Sequence, residues 1–183
     1  MRFLRILAAV LLFLALPPTR ASAPVCTCDI SKPATLSAGQ CGLCRAAEAQ
    51  PPQPEFFVIK DSDPEKPDRW LALPRFHSPG LQHLSDMTPA QGAGYWIAAI
   101  AKAQAIWGDR WGLAFNGDDY RTQCHAHIHI GKLLDGVERT SFVVVDGPAQ
   151  IPVPAGGHGI LVHPVGGKLH AHAIDAPERL LMR

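Results

Sequence analysis

Three histidines at alternate positions, His125, His127 and His129, stand in the stretch Thr122-Gln-Cys-His-Ala-His-Ile-His-Ile-Gly131. On an extended strand successive side chains point to opposite faces, so the three imidazoles would share one face while Cys124, Ala126, Ile128 and Ile130 supply the other. Imidazoles titrate near neutral pH and are costly to bury without partners, which makes such a row a candidate site. Two chemistries suit it. Neutral imidazoles could hold Zn²⁺ or a similar metal with a position left open for water, either in a metallohydrolase or in a zinc- or copper-binding module without catalysis. Alternatively the central imidazole is a nucleophile fixed in one tautomer, with its neighbours placing and protonating a phosphate ester. The surroundings favour the nucleophile. Asn116, Arg121, Thr122 and Gln123 lie just upstream as donors for anionic oxygens, and no Asp or Glu follows within five residues to complete a metal site.

The elements that must position this row are readable from turns and periodicity. Phe56–Asp61 and Trp70–Arg75 read as a strand hairpin, with Pro74 ending the second strand or placing it at an edge. Thr88-Pro-Ala-Gln91 is a capping box, and Tyr95, Trp96, Ala99, Ile100, Ala103, Ile106 and Trp107 follow at helical spacing up to Gly108. That stripe is read as core lying along a sheet. Trp111–Asn116 pairs antiparallel with the histidine strand; Phe142–Asp146 is a further strand; His158–Val165 and Lys168–Ile174 form a last hairpin around Gly166-Gly167. Hairpins around one long helix make the fold class α+β with an antiparallel sheet.

A net charge of +1 and no basic run argue against nucleic acid as a partner. Residues 1–23 carry the three parts of a signal peptide: a basic start with Arg2 and Arg5, the apolar run Ile6–Leu16, and the small-residue site Ala21-Ser-Ala23. The expected product is an exported, periplasmic or secreted protein, or a membrane-associated one if the leader stays. Residues 24–54 then form a cysteine-containing segment and linker, with 45–55 a proline-rich connector, and residues 55–183 the catalytic domain. Outside the cytoplasm, Cys26, Cys28, Cys41 and Cys44 read first as two disulfides and second as a four-thiolate zinc site. Ala23-Pro24-Val25 ahead of Cys26 does not look like a lipidation signal. Cys124 reads as a buried, inert thiol on the core face.

His125-Ala-His127-Ile-His129-Ile resembles the His-φ-His-φ-His-φ signature, φ being apolar, of the histidine triad superfamily of nucleotide hydrolases and transferases. A closer resemblance is to the bacterial CDP-diacylglycerol pyrophosphatases. It rests on Val58-Ile-Lys-Asp61, on Leu71-Ala-Leu-Pro74, on the Trp-containing helix and, most specifically, on Asn116 followed by Arg121-Thr122-Gln123, and it covers residues 55–135. The resemblance implies a HIT-like antiparallel sheet with one long helix packed on it. It implies that His127 attacks the α-phosphorus of a nucleotide or lipid-nucleotide substrate to form a covalent phosphohistidine that water then resolves. His129 would assist the leaving oxygen and His125 would orient the nucleophile. Asn116, Arg121, Thr122 and Gln123 would hold phosphate oxygens. The route calls for no cofactor, and the resemblance further implies a homodimer and peripheral membrane contact. Because relatives with Gln in place of the third histidine tend to be transferases, His129 points to hydrolysis. His158, His163, His170 and His172 lie outside the shared pattern; they are read as solvated or at the substrate rim, with a secondary metal site as the alternative.

Overall fold

The computed structural model describes residues 25–75, 82–139 and 141–183; the leader expected at 1–23 lies outside them. A short helix α1 (Gly42–Glu48) precedes the hairpin of β1 (Phe56–Lys60) and β2 (Trp70–Pro74). Helix α2 (Pro89–Trp107) follows, then β3 (Trp111–Phe115), β4 (Ile128–Lys132), β5 (Val143–Val145), β6 (Ile160–Val165) and β7 (Lys168–Ala173). The strands form one seven-stranded sheet in the order β1-β2-β4-β3-β6-β7-β5, and every pairing is antiparallel. The fold class is therefore α+β.

Local chemistry explains the boundaries. Thr88 Oγ1 accepts from the Gln91 N–H at 3.3 Å while Gln91 Oε1 accepts from the Thr88 N–H at 3.0 Å, so two otherwise unpaired donors at the start of α2 are satisfied. Gly108, at φ 58°, ends the helix. Gly166 and Gly167, at φ 56° and 80°, make the left-handed turn joining β6 to β7. Tyr95, Trp96, Ala99 and Ala103 of α2 are buried against Ala72, Leu113, Ile128, Ile130 and Val162, the main core. The helix surface differs from the expected stripe in one place: Ile106 is 41% exposed, although Trp107 beside it still packs against the core. The expected connector also differs, since α1 continues through Glu48.

The opposite face of the sheet is tiled by separate pieces of chain. At the β1–β2 end α1 covers it, with Ala47 against Phe57, Leu71 and Leu73. In the middle Leu133 and the C-terminal Leu181 lie over Ala114 and Leu161. They lie flat because the strands beneath carry glycine: a Cβ on Gly112 would stand 2.5 Å from Leu181 Cδ2 and 2.8 Å from Leu133 Cδ1.

The histidine stretch departs from the expected strand. The β2–β4 ladder ends at the pair Ala72↔Ile128, so only His129 of the triad belongs to a strand. Pro74 has no N–H with which to continue the ladder, and its carbonyl accepts instead from His125 Nε2 at 2.9 Å. Residues 122–127 bend out of the sheet, and the Cys124 N–H goes to the Gln40 carbonyl at 2.9 Å. Strict alternation fails as a result: Ala126, Ile128 and Ile130 enter the main core, but Cys124 joins a different cluster with Leu36, Cys41 and Cys44.

That cluster corrects the cysteine assignment. The disulfide joins Cys26 to Cys124 across 98 residues, leaving Cys28, Cys41 and Cys44 as thiols. Cys124 is thus neither solitary nor inert. Once the chain bends at 124, the N-terminal segment and the histidine loop meet, which no local spacing reveals. Burial pushes the Cys28 and Cys44 thiols up, keeping them protonated.

Candidate functional site

His127 and His129 line a cavity of about 780 Å³ bounded by α1, the end of β1, the 62–66 loop and the C-terminal turn at Pro177–Leu180. The His127 ring is buried and its Nδ1 lies 2.8 Å from the His125 carbonyl oxygen. A carbonyl only accepts, so Nδ1 carries the proton and the neutral ring presents a lone pair at Nε2. Burial lowers the His127 pKa below its ordinary value, with the Arg121 charge acting in the same direction against the His125 carbonyl, so the ring is neutral at pH 7. The bend that breaks the strand is therefore what sets the tautomer: it turns the 125 carbonyl back onto the 127 ring.

His129 meets His127 edge-on at a centroid distance of 4.8 Å. Its Nε2 stands 3.3 Å from Glu178 Oε2, within ion-pair range but out of hydrogen-bond alignment, and neither ring nitrogen has a hydrogen-bond partner among the described residues. Burial first, and then the neighbouring His127, hold its pKa well below the ordinary value. A buried polar group left unpaired costs about 1–3 kcal/mol, and such a group lining a cavity is placed to bind something. A bound polyanion would reverse the local balance, since negative oxygens beside the ring favour its protonated form.

Glu178 organises the polar wall. Its Oε1 takes Lys66 Nζ at 2.6 Å and Arg69 Nη1 at 3.2 Å, and its Oε2 takes Asn116 Nδ2 at 3.0 Å. Burial alone would raise this carboxyl, but His129, Lys66 and Asn116 outweigh it and bring it down to about 2. Asn116 is held twice, because the Glu178 N–H also donates to its Oδ1 at 3.3 Å. Thr122 lines the cavity and is exposed; Gln123 lines it too, with Oε1 accepting from the Leu43 N–H at 3.3 Å and so fixing α1 to the site.

Two expected site residues are turned elsewhere. His125 does not line the cavity; its ring is spent on the Pro74 carbonyl and its backbone carbonyl on His127, so it acts by holding the loop. Arg121 is buried behind the site, donating to the Gln82 carbonyl and, at 3.1 Å, to Asp118 Oδ1, with Phe115 beneath the guanidinium. The basic residues that do line the cavity are Lys60, Lys66 and Arg45, and of these Lys60 carries its ammonium over the Trp70 ring.

No carboxylate lies within five residues after the triad, yet Glu178 reaches His129 from the far end of the chain. Lys66, Arg69 and Glu178 carry no sequence motif. The one readable hint is the run of small residues, Gly112, Ala114 and Gly131, on strands beside the site, which lets another segment lie on the sheet. Even with Glu178 included, the three triad rings do not converge on one point, since His125 faces Pro74. Among the described residues, the ligand-type side chains that do converge lie elsewhere, in the cysteine cluster and around Glu138, His163, His170 and His172. These last three histidines are buried, contrary to the solvated role expected for them; of the four C-terminal ones only His158 is exposed, paired with Asp175. No protein-family model matches the chain, and no curated protein matches it in sequence.

Proposed function

We propose that the protein is a phosphoanhydride hydrolase of histidine triad type, acting on a nucleotide-containing diphosphate such as CDP-diacylglycerol through a covalent phosphohistidine on His127. One observation carries the reading: a buried neutral imidazole, fixed by its Nδ1 proton on the His125 carbonyl, offers Nε2 to a cavity with basic and amide donors. In the first step Nε2 attacks the α-phosphorus, a P–N bond forms, and the bridging P–O bond breaks with its electron pair leaving on the far phosphate. His129, with both nitrogens unengaged, donates a proton or hydrogen bond to that oxygen. Water then attacks the same phosphorus, releasing the nucleotide monophosphate and restoring the ring.

The rest of the cavity suits the substrate class. Lys66 and Arg45 supply positive charge for a diphosphate, and Thr122 and Gln123 supply neutral donors. Leu43, Ala46, Ile59 and Leu71 form an apolar side for a base or the start of an acyl chain. The reading implies a HIT-like fold, an exported location and contact with a membrane surface when the substrate is a lipid. No helix among the described residues is long and apolar enough to cross a membrane.

The test is a substrate panel of CDP-lipids, dinucleoside polyphosphates and nucleoside phosphoramidates, run on the wild-type chain and His127→Ala, before and after chelation. The expected result is release of a nucleoside monophosphate that survives chelation and is absent in the variant. A base-stable, acid-labile phosphoprotein should be trapped only in the wild type. Turnover that chelation abolishes, or that His127→Ala retains, overturns the assignment.

A further inference from the structure

We infer that Glu138, His163, His170 and His172 form a second, separate site that binds one divalent transition-metal ion of zinc type. The four side chains each turn one ligand atom inward, and these atoms lie within 4.8 Å of one another. His163 Nε2 is 2.9 Å from His172 Nε2 and 3.0 Å from Glu138 Oε1; His170 Nδ1 is 3.0 Å from both Glu138 oxygens. A tetrahedral ion with bonds of about 2.0–2.1 Å sets its ligands roughly 3.3 Å apart, so the shorter separations are close to those of a ligand shell, and the wider ones, His172 Nε2 to Glu138 Oε1 at 3.9 Å among them, must close as the ion enters.

The strand register builds the shell. His170 and His172 share a face of β7 by alternation, and His163 of β6 stands opposite His170. Glu138 reaches over them from the turn that precedes β5. All three imidazoles are buried, and Phe142 stacks on His170 at 4.2 Å as a cover.

Ring chemistry then selects a cation. Three imidazoles and one carboxylate turn their ligand atoms toward one small space, a donor set of three nitrogens and one oxygen. An ion with nitrogen and oxygen preference fits. Four protein ligands close the shell, which gives the ion the role of fastening the turn at Glu138 to the β6–β7 hairpin.

The site is distinct from the His127 cavity. His129, Ala114, Leu161 and His172 form one cross-strand row over β4, β3, β6 and β7, so His172 stands three strand spacings, roughly 14 Å, from His129. The test uses the full chain, stripped by chelation and titrated with Co²⁺ and then Zn²⁺. Expected are one equivalent of Co²⁺ with visible ligand-field bands and no thiolate charge-transfer band, its displacement by Zn²⁺, and a rise in thermal midpoint on loading. His172→Gln should lose that equivalent. Glu138→Gln, at a side chain 44% exposed and so tolerant of change, should weaken it while leaving turnover at His127 intact. Absence of an N/O-type cobalt spectrum in the wild type, a spectrum dominated by thiolate, or a full equivalent retained in both variants overturns the proposal.

Discussion

Replacing Glu178 with Gln tests the polar wall of the site through stability. Glutamine keeps the volume and one carbonyl acceptor but removes the charge that Lys66 and Arg69 share. A carboxyl drawn from 4.5 down to about 2 by the fold contributes about 3 kcal/mol at neutral pH. The sign follows from the direction of the shift. Because the folded pKa is depressed, the contribution is complete above the unfolded value and is lost as the pH falls through the folded one. The stability gap between wild type and Glu178→Gln should therefore be about 3 kcal/mol at pH 7, about half of that at pH 3, and close to nothing below pH 2. Denaturant unfolding of both chains across this range measures it. Asp63 and Asp86, also held low, titrate alike in the two proteins and cancel in the difference. A gap that stays constant from pH 7 to pH 3 refutes the charge argument and leaves only lost packing. Since Glu178 also clamps Asn116 and faces His129, the variant should lower kcat more than it raises KM.

The nucleophile prediction is strict: His127→Ala should abolish turnover while the chain still unfolds cooperatively at a lowered midpoint, since a buried, hydrogen-bonded ring is lost, as measured by single-turnover assay and unfolding in parallel. His129→Ala should slow poor leaving groups far more than good ones, and equal slowing across a leaving-group series would remove it from that role. Because burial lowers the pKa of the His127 ring, its neutral form persists into mild acid, so the acid limb of kcat/KM should fall below pH 6.5; an inflection above that value contradicts the assignment. Cys26→Ser opens a closure of 98 residues, worth about 4–5 kcal/mol on a chain-entropy basis, and thiol titration of denatured, unreduced wild type should find three thiols, Cys28, Cys41 and Cys44.

What the sequence made legible was local. The capping box at Thr88, the Gly166-Gly167 hairpin and the β1–β2 pair all rest on contacts between near neighbours, and each is where its residues imply. The triad marked the site for the same reason. What it hid depends on chain segments meeting from far apart. Pro74 was readable as a strand end, but its effect on the strand facing it was not: the ladder stops at Ala72↔Ile128, the loop bends, and the 125 carbonyl becomes a hydrogen-bond acceptor for the 127 ring. The same bend takes Cys124 off the core face and into a bond with Cys26. Glu178 and Arg69 are joined across 109 residues, beyond any spacing rule.

The two histidine clusters follow from one property of the sheet. Its α2 side is sealed by apolar contacts from Ala72 to Val162, so polar side chains have only the other side on which to gather. On that side the covering segments leave two openings, one between α1 and the Pro177–Leu180 turn and one beneath Glu138 and Phe142, with the Leu133–Leu181 patch between them. His129 occupies the first and His172 the second, in the same cross-strand row, with Ala114 and Leu161 as apolar spacers. An apolar barrier of that width keeps a cation in the second opening from competing for the neutral ring that the first requires. A polar substitution at Leu161, fully buried in this patch, should therefore cost stability through an unpaired group and also couple the two sites; Leu161→Asn is expected to change metal affinity when substrate analogue is bound, an effect absent from the wild type.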